Sequence, residues 1–158
     1  MGHLAFLECS EVSREDAVVS PPRSQEAKRF EPAQALDLVA RQVVDGAFAV
    51  HKALGPGLLE SVYEKCLTRE LETRGLAVDR QVIVPIRYRD LLIEAGLRMD
   101  MVVRRSVIVE VKSMDLLLPI HQAQLFTYLK LSGLQIGLLI NFNVAFMKDG
   151  IRRVVLTA

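Results

Sequence analysis

The chain has 158 residues, of which 51% are hydrophobic, and this is enough for one compact domain with a substantial core. Its formal net charge of +1 argues against a surface broadly covered with basic residues for nucleic-acid binding. No apolar run reaches the roughly 18 residues that a membrane-spanning helix requires.

The first 32 residues differ in composition from the rest of the chain. They are polar and mixed in charge, and they include Ser20, Pro21 and Pro22. Because such a composition does not support a packed core, we predict a poorly ordered extension at residues 1–32 and one domain at residues 33–158. Glu8 comes too early for a secretory signal peptide. Two cysteines without metal-type spacing are typical of a cytoplasmic protein.

Two helices are predicted next. Pro32 suits the first turn of a helix that runs to about Lys52. The Gly-Pro-Gly sequence at residues 55–57 breaks the chain. A second helix follows at about residues 58–74, and Gly75 is well placed to close it in a left-handed cap.

Glu60 lies on the second predicted helix, in line with Tyr63, Leu67 and Leu71 at +3, +7 and +11. The acid therefore borders the buried face of the helix rather than its solvent side. Its place in the first turn also has a simpler explanation, because the helix dipole stabilises a carboxylate there.

The rest of the chain alternates strand and helix patterns. The continuous apolar run at residues 134–142 indicates a strand buried on both faces. The order of the elements predicts an α/β fold with a mixed central sheet flanked by helices. In chain order we predict strands at 77–88, 91–103 and 107–112, a helix at 119–131, the strand at 134–142, and a closing hairpin of 146–147 and 151–156 around Lys148, Asp149 and Gly150.

Residues 98–112 contain an acidic pattern on two successive strands. If the chain reverses around residues 104–106, Asp100 and Glu110 become cross-strand partners with Cβ atoms about 4.5–5.5 Å apart. Because side chains alternate between the two faces of a strand, Glu110 and Lys112 point away from the apolar face. On the preceding strand, that apolar face is expected to carry Met99, Met101 and Val103.

Two neighbouring carboxylates repel each other unless a cation lies between them. Mg²⁺ would relieve the repulsion, since it binds oxygen ligands and commonly uses one or two carboxylates with water and phosphate. Lys112 could then orient a water molecule or stabilise charge that develops on a phosphate. The alternative is a surface hairpin whose charges are simply solvated.

Two polar features surround this pattern. Gln124 and Tyr128 lie four residues apart on the predicted third helix, on a mostly apolar face with Ile120, Ala123, Thr127 and Leu131. The glutamine needs a partner, which could be a lysine, a metal-bound water, a phosphate or a backbone carbonyl. Basic residues in the sheet region permit phosphate contacts or protect a strand edge; they are Arg87, Arg89, Arg98, Arg104, Arg105 and Lys112.

Residues 57–63 read G-x-x-E-x-x-Y and follow His-Lys-Ala-Leu-Gly-Pro at residues 51–56. With Asp100, the Glu-Val-Lys of residues 110–112, and residues 121–128 and 138–142, the chain resembles the small bacterial GxxExxY proteins of the PD-(D/E)xK nuclease superfamily. Residues 124–128 resemble the Q-x-x-x-Y element of RecB-like nucleases in that superfamily. The resemblance implies a restriction-endonuclease-like core.

The resemblance also implies roles for the acidic residues. Asp100 and Glu110 would bind Mg²⁺ or Mn²⁺ together with the Val111 carbonyl, and Lys112 would activate or position the attacking water. Glu60 would complete the metal site or hold a bridging water. Position 99 is a methionine instead of the proline in the superfamily name, although this position varies among relatives.

The remaining implied site residues come from helices and strand ends. Gln124 and Tyr128 would contact the scissile phosphate or steady Lys112. His51 and His121 match family positions and, with Arg98, are candidate nucleic-acid contacts. A lone histidine at a helix end is, however, also a common cap.

We therefore expect a metal-dependent nuclease that acts on DNA, with RNA as the second candidate substrate, and that has no membrane association. The alternative is a nuclease-fold module that binds nucleic acid or a protein without cleaving it. A third hypothesis is an interaction protein in which the apolar residues 116–118 form the contact between two protomers. A homodimer is also compatible with either of the first two functions.

Overall fold

The computed structural model describes residues 24–156, which form one mixed sheet with helices on both faces. Neighbouring strands in the order β1-β2-β3-β4-β5 are antiparallel, except for β3 and β4, which are parallel. The predicted α/β class is confirmed. The elements are α1 (Ser24–Leu54), α2 (Glu60–Thr73), β1 (Val78–Tyr88), β2 (Leu91–Val103), β3 (Val107–Lys112), α3 (Pro119–Ser132), β4 (Ile136–Asn141), α4 (Met147–Gly150) and β5 (Ile151–Val155).

The central strands β3 and β4 are buried between two layers of helices. Helices α1 and α2 pack on one face, through residues such as Val43 and Leu67, and α3 packs on the other through Leu125 and Leu129. Parallel strands require a crossover connection, which α3 provides. Within β3 only Lys112 is partly exposed, so the strand delivers this lysine from the core to the molecular surface.

The beginning of α1 differs from the prediction. The helix starts at Ser24 and not near Pro32, because residues 25–29 include the good helix formers Gln, Glu, Ala, Lys and Arg. Residues 1–23 lie outside the described part of the chain, so the extension and the domain boundary remain predictions. None of the described helices is long and apolar enough to cross a membrane.

The predicted closing hairpin is wrong. Residues Met147–Gly150 form the short helix α4, and β5 pairs with β4 instead of with a strand at residues 146–147. The chain turns here in very close contact with β4, since a Cβ atom on Gly150 would lie 2.1 Å from the carbonyl oxygen of Asn141. Only glycine permits this approach.

Strand β2 does not keep a single apolar face. Met99 packs on the α3 side of the sheet, whereas Met101 and Val103 pack on the side of α1 and α2, so their predicted common face is wrong. The alternation is interrupted at Asp100, opposite Gln81 of β1, whose backbone has a left-handed φ of 52°. This irregularity lies where β2 meets the candidate site.

Candidate active site

Asp100 and Glu110 lie side by side where β2 and β3 separate. The backbone pairing of the two strands ends at Met101 and Val109. One position further, the Asp100 N–H donates to Glu110 Oε1 at 3.2 Å, and the Val111 N–H donates to Asp100 Oδ2 at 3.0 Å. At this position the two side-chain carboxylates accept the N–H groups that would otherwise pair with backbone carbonyls of the neighbouring strand. The two acids lie next to each other, as predicted.

The Glu110 carboxylate is buried, and the Lys112 ammonium compensates its charge only in part. The residue is 4% exposed. Burial, followed by the charge of Asp100, raises the pKa of Glu110 from its ordinary value of 4.5 to about 7, and Lys112 only partly opposes this shift. The electrostatics of this pair therefore favour a bound cation.

Lys112 joins this pair to an acid from a different element. Its Nζ atom lies 3.7 Å from Glu110 Oε2 and 3.8 Å from Glu60 Oε1. These distances are those of ion pairs rather than of short hydrogen bonds. The Lys112 side chain is only 16% exposed, so its position is restricted by the fold as well as by the two acids.

The loop before α2 determines where Glu60 lies. Tyr63 is fully buried and stacks on Phe142, with ring centroids 4.5 Å apart. Its hydroxyl donates to the Gly55 carbonyl at 2.6 Å and accepts the Leu58 N–H at 3.1 Å. The tyrosine of the G-x-x-E-x-x-Y motif therefore holds the loop that presents its glutamate.

We expect Tyr63→Phe to lower the free energy of unfolding by about 1–3 kcal/mol, because the Gly55 carbonyl and the Leu58 N–H each lose a partner. Urea unfolding followed by circular dichroism measures this change. Tyr88→Phe is the matched control, since this ring is 63% exposed. Equal effects of the two substitutions would contradict the assigned role of the Tyr63 hydroxyl.

Two residues that the sequence did not single out connect these parts. The Ser113 N–H donates to Glu60 Oε2 at 3.3 Å, and its hydroxyl donates to the Leu58 carbonyl at 2.6 Å. Asn141 is 2% exposed; it accepts the Met114 N–H at 3.0 Å and donates to the Met114 carbonyl at 2.8 Å. The sequence signal for Asn141 was a single amide inside an apolar strand, where it needs partners.

Helix α3 brings Gln124 and Tyr128 to the edge of the site. Gln124 Nε2 donates to Tyr128 Oη at 2.7 Å. Burial, followed by the negative charge of Glu110, raises the pKa of Tyr128. The Tyr128 hydroxyl is therefore close enough to interact electrostatically with the acidic pair. The predicted apolar face is wrong, because Ile120 is 65% exposed and Leu131 is 40% exposed. The helix packs on the sheet through Leu125 and Leu129 instead.

The histidines have other contacts. His51 Nε2 lies 2.8 Å from the carbonyl oxygen of Val144. His121 Nδ1 accepts the Leu118 N–H at 3.0 Å and thereby caps α3, as the structural alternative expected.

The predicted cluster of basic residues is not a single patch. Arg98 is exposed on β2, two residues before Asp100. Arg104 and Arg105 lie in the β2–β3 turn, at the opposite end of β3 from Lys112. A strand of this length spans about 17 Å, so these two arginines do not share a patch with Lys112.

The residues that could hold a metal are fewer than expected. Within the described residues, no three or more His, Cys, Asp or Glu side chains form a metal-binding group. The expected joint coordination by Glu60, Asp100 and Glu110 is therefore corrected, since Glu60 contacts Lys112 and Ser113 instead.

The remaining donors still fit Mg²⁺ or Mn²⁺. Asp100 and Glu110 supply carboxylate oxygens, and Lys112 compensates the charge of Glu110 only in part. The Val111 carbonyl points to the same strand edge as the Val111 N–H, beyond the last backbone pair of β2 and β3. An all-oxygen set with two carboxylates is typical of Mg²⁺ sites, where water completes the coordination.

Comparison with known proteins supports this reading of the fold. A family model described as the PD-(D/E)XK nuclease superfamily matches residues 37–154. No curated protein and no solved structure gives a significant match. The matched range includes β1 to β4, all but the last residue of β5, and α2 and α3, and thus every acidic residue of the site.

Proposed function

Because the chain belongs to the PD-(D/E)XK nuclease superfamily, we propose that it is a metal-dependent nuclease that hydrolyses phosphodiester bonds, with DNA preferred to RNA. One observation carries the proposal. The end of β3 presents Lys112, whose ammonium pairs with both Glu110 and Glu60, and Glu110 in turn accepts a hydrogen bond from Asp100. Assignment to the GxxExxY proteins within the superfamily stays a prediction.

Asp100, Glu110 and the Val111 carbonyl are the residues that would hold Mg²⁺ or Mn²⁺. When bound, such an ion supplies positive charge to the phosphate and lowers the pKa of a coordinated water. Glu110 is suited to this role because burial and the charge of Asp100 disfavour its ionised form more than Lys112 favours it.

Lys112 contributes a fixed positive charge. Its ion pairs with Glu60 and Glu110 hold the ammonium at the end of β3 before substrate arrives. A preorganised cation of this kind stabilises the negative charge that develops on a phosphate during hydrolysis. Glu60 acts through Lys112 and is therefore a positioning residue.

Tyr128 and Gln124 supply a directed hydrogen bond. Because Tyr128 Oη accepts a hydrogen bond from Gln124, its own O–H remains available to donate. A phosphate oxygen beside the acidic pair is a suitable acceptor. The Q-x-x-x-Y element would thus orient the scissile phosphate relative to Lys112.

The direct test is turnover of end-labelled DNA and RNA oligonucleotides, single-stranded and duplex, with Mg²⁺ or Mn²⁺ and with EDTA. We expect metal-dependent cleavage that is faster on DNA and that is lost in Asp100→Asn, which keeps the size of the side chain. Cleavage that survives in the variant would indicate a contaminating nuclease and would remove the support for this site.

The near-neutral net charge of +1 favours a second candidate, a module that binds nucleic acid or a protein without cleaving it. Calorimetric titration with Mn²⁺ separates the two functions. A nuclease takes up Mn²⁺ at Asp100 and Glu110, and Asp100→Asn weakens this uptake. A non-cleaving module has no need to bind the ion there.

A further inference from the structure

A groove of about 280 Å³ lies between the end of α1 and the start of α4. Within the described part of the chain, the groove is lined by aromatic, basic and apolar residues and by no acid. The lining residues are Phe48, His51 and Lys52 from α1, and Ala145, Phe146, Met147 and Lys148 from the segment after β4.

Both aromatic rings of the groove are exposed to solvent. Phe48 is 43% exposed and Phe146 is 67% exposed, whereas Phe142, four residues before Phe146, is fully buried. Lys148 Nζ lies 5.9 Å from the centroid of the Phe146 ring. Exposed aromatic rings combined with cations form the surface on which single-stranded nucleic acids bind, with bases stacked on the rings and phosphates near the cations.

The groove adjoins the edge of the sheet that carries Lys112. Asn141 pairs with Lys112 between β4 and β3, and the Phe142 N–H donates to the Lys112 carbonyl at 2.9 Å. Val144, whose carbonyl contacts His51 of the groove, follows Asn141 by three residues. Neighbouring strands lie about 5 Å apart and three residues of extended chain span at most about 11 Å, so the backbone at Lys112 lies within about 16 Å of Val144. A nucleic-acid strand bound at Lys112 can therefore reach the groove.

We propose that this groove, which we call the Phe48–Phe146 groove, binds a single strand of the nucleic acid on which the site at Lys112 acts. An unpaired base stacks on Phe146, and the neighbouring phosphates contact Lys52 and Lys148. The identity of the ligand rests on the proposed function. The basic residues of the lining favour a polyanion. The exposed rings favour a single strand, because the bases of a duplex are stacked on one another and cannot stack on a protein side chain.

The test is fluorescence anisotropy with a labelled single-stranded DNA in EDTA, so that binding is measured without cleavage. We expect Phe146→Ala to weaken binding about tenfold, the effect of losing one base–aromatic stack. Tyr88→Ala is the matched control: this ring is 63% exposed and has the Arg89 Cζ atom 5.4 Å from its centroid, but it lies on the β1–β2 hairpin. The control should bind like the wild-type protein.

Two further measurements separate stacking from charge. With an oligonucleotide that contains abasic sites, Phe146→Ala should have no effect, because there is no base to stack. Lys148→Met should reduce the salt dependence of single-strand binding by about 0.7 in the slope of log K against log salt. Equal weakening by Tyr88→Ala and Phe146→Ala, or no weakening by either, would overturn the proposal.

The outcome is independent of cleavage. If the protein cleaves no oligonucleotide but Phe146→Ala weakens single-strand binding, the proposal for the groove is supported and the proposed nuclease function is wrong. If the protein cleaves oligonucleotides but Phe146→Ala binds a single strand as the wild type does, the nuclease function is supported and the proposal for the groove is wrong. No binding of any oligonucleotide at low salt would overturn the proposal and would point to a protein as the occupant.

Discussion

Lys112→Met should lower the rate of oligonucleotide cleavage about 10²- to 10⁴-fold, the range found when one preorganised catalytic group is removed. Methionine keeps most of the length of the side chain but has no charge. The phosphate would lose the cation that Glu60 and Glu110 hold in place at 3.8 and 3.7 Å. Single-turnover cleavage with Mn²⁺ measures the chemical step, and circular dichroism checks that the variant is folded.

Lys130→Met is the matched control, because Lys130 is an exposed lysine in the last turn of α3. It should cleave at the wild-type rate. Glu60→Gln should cost less than Lys112→Met, since Glu60 acts by positioning the ammonium. A Lys112→Met variant that cleaves within a factor of a few of the wild-type rate would show that the amine takes no part in the reaction.

Local geometry explains which parts of this site could be predicted from sequence. Asp100 and Glu110 are neighbours because a short turn fixes the register of adjacent strands, and alternation then determines the facing pairs. Gly75 and Gly133 were predictable helix ends for a similar reason, since their left-handed φ values of 79° and 74° suit glycine. Both features, the register of adjacent strands and the end of a helix, are determined by residues that are close in sequence.

The remaining features depend on packing between distant elements. The α3 face was misassigned because apolar residues at helical spacing do not reveal which side contacts the sheet, and Ile120 is exposed. The separation of Met99 from Met101 depends on a backbone irregularity at Gln81, about 20 residues earlier. The role of Asn141 also required the fold, since its partner Met114 lies 27 residues away.

We also expect the metal-free protein to become less stable as the pH rises from about 5 to 8. The pKa of Glu110 is 4.5 ordinarily and about 7 in the folded protein, so the folded state binds more protons than the unfolded state between these values. The free energy of unfolding therefore falls with pH across this window. The loss is complete above pH 7 and is on the order of 3 kcal/mol.

Urea unfolding in EDTA at a series of pH values measures this slope for the wild type and two variants. Glu110→Gln cannot ionise, so its slope in this window should disappear and the variant should be more stable than the wild type at pH 8. Asp100→Asn removes one cause of the raised pKa but leaves the burial of Glu110, so its slope should shrink without disappearing.

At pH 8, added Mg²⁺ should stabilise the wild type, because an ion bound only by the folded state adds to its stability. A wild-type stability that rises between pH 5 and 8 would mean that the Glu110 carboxylate is compensated already, which would remove the electrostatic argument for a cation beside Asp100.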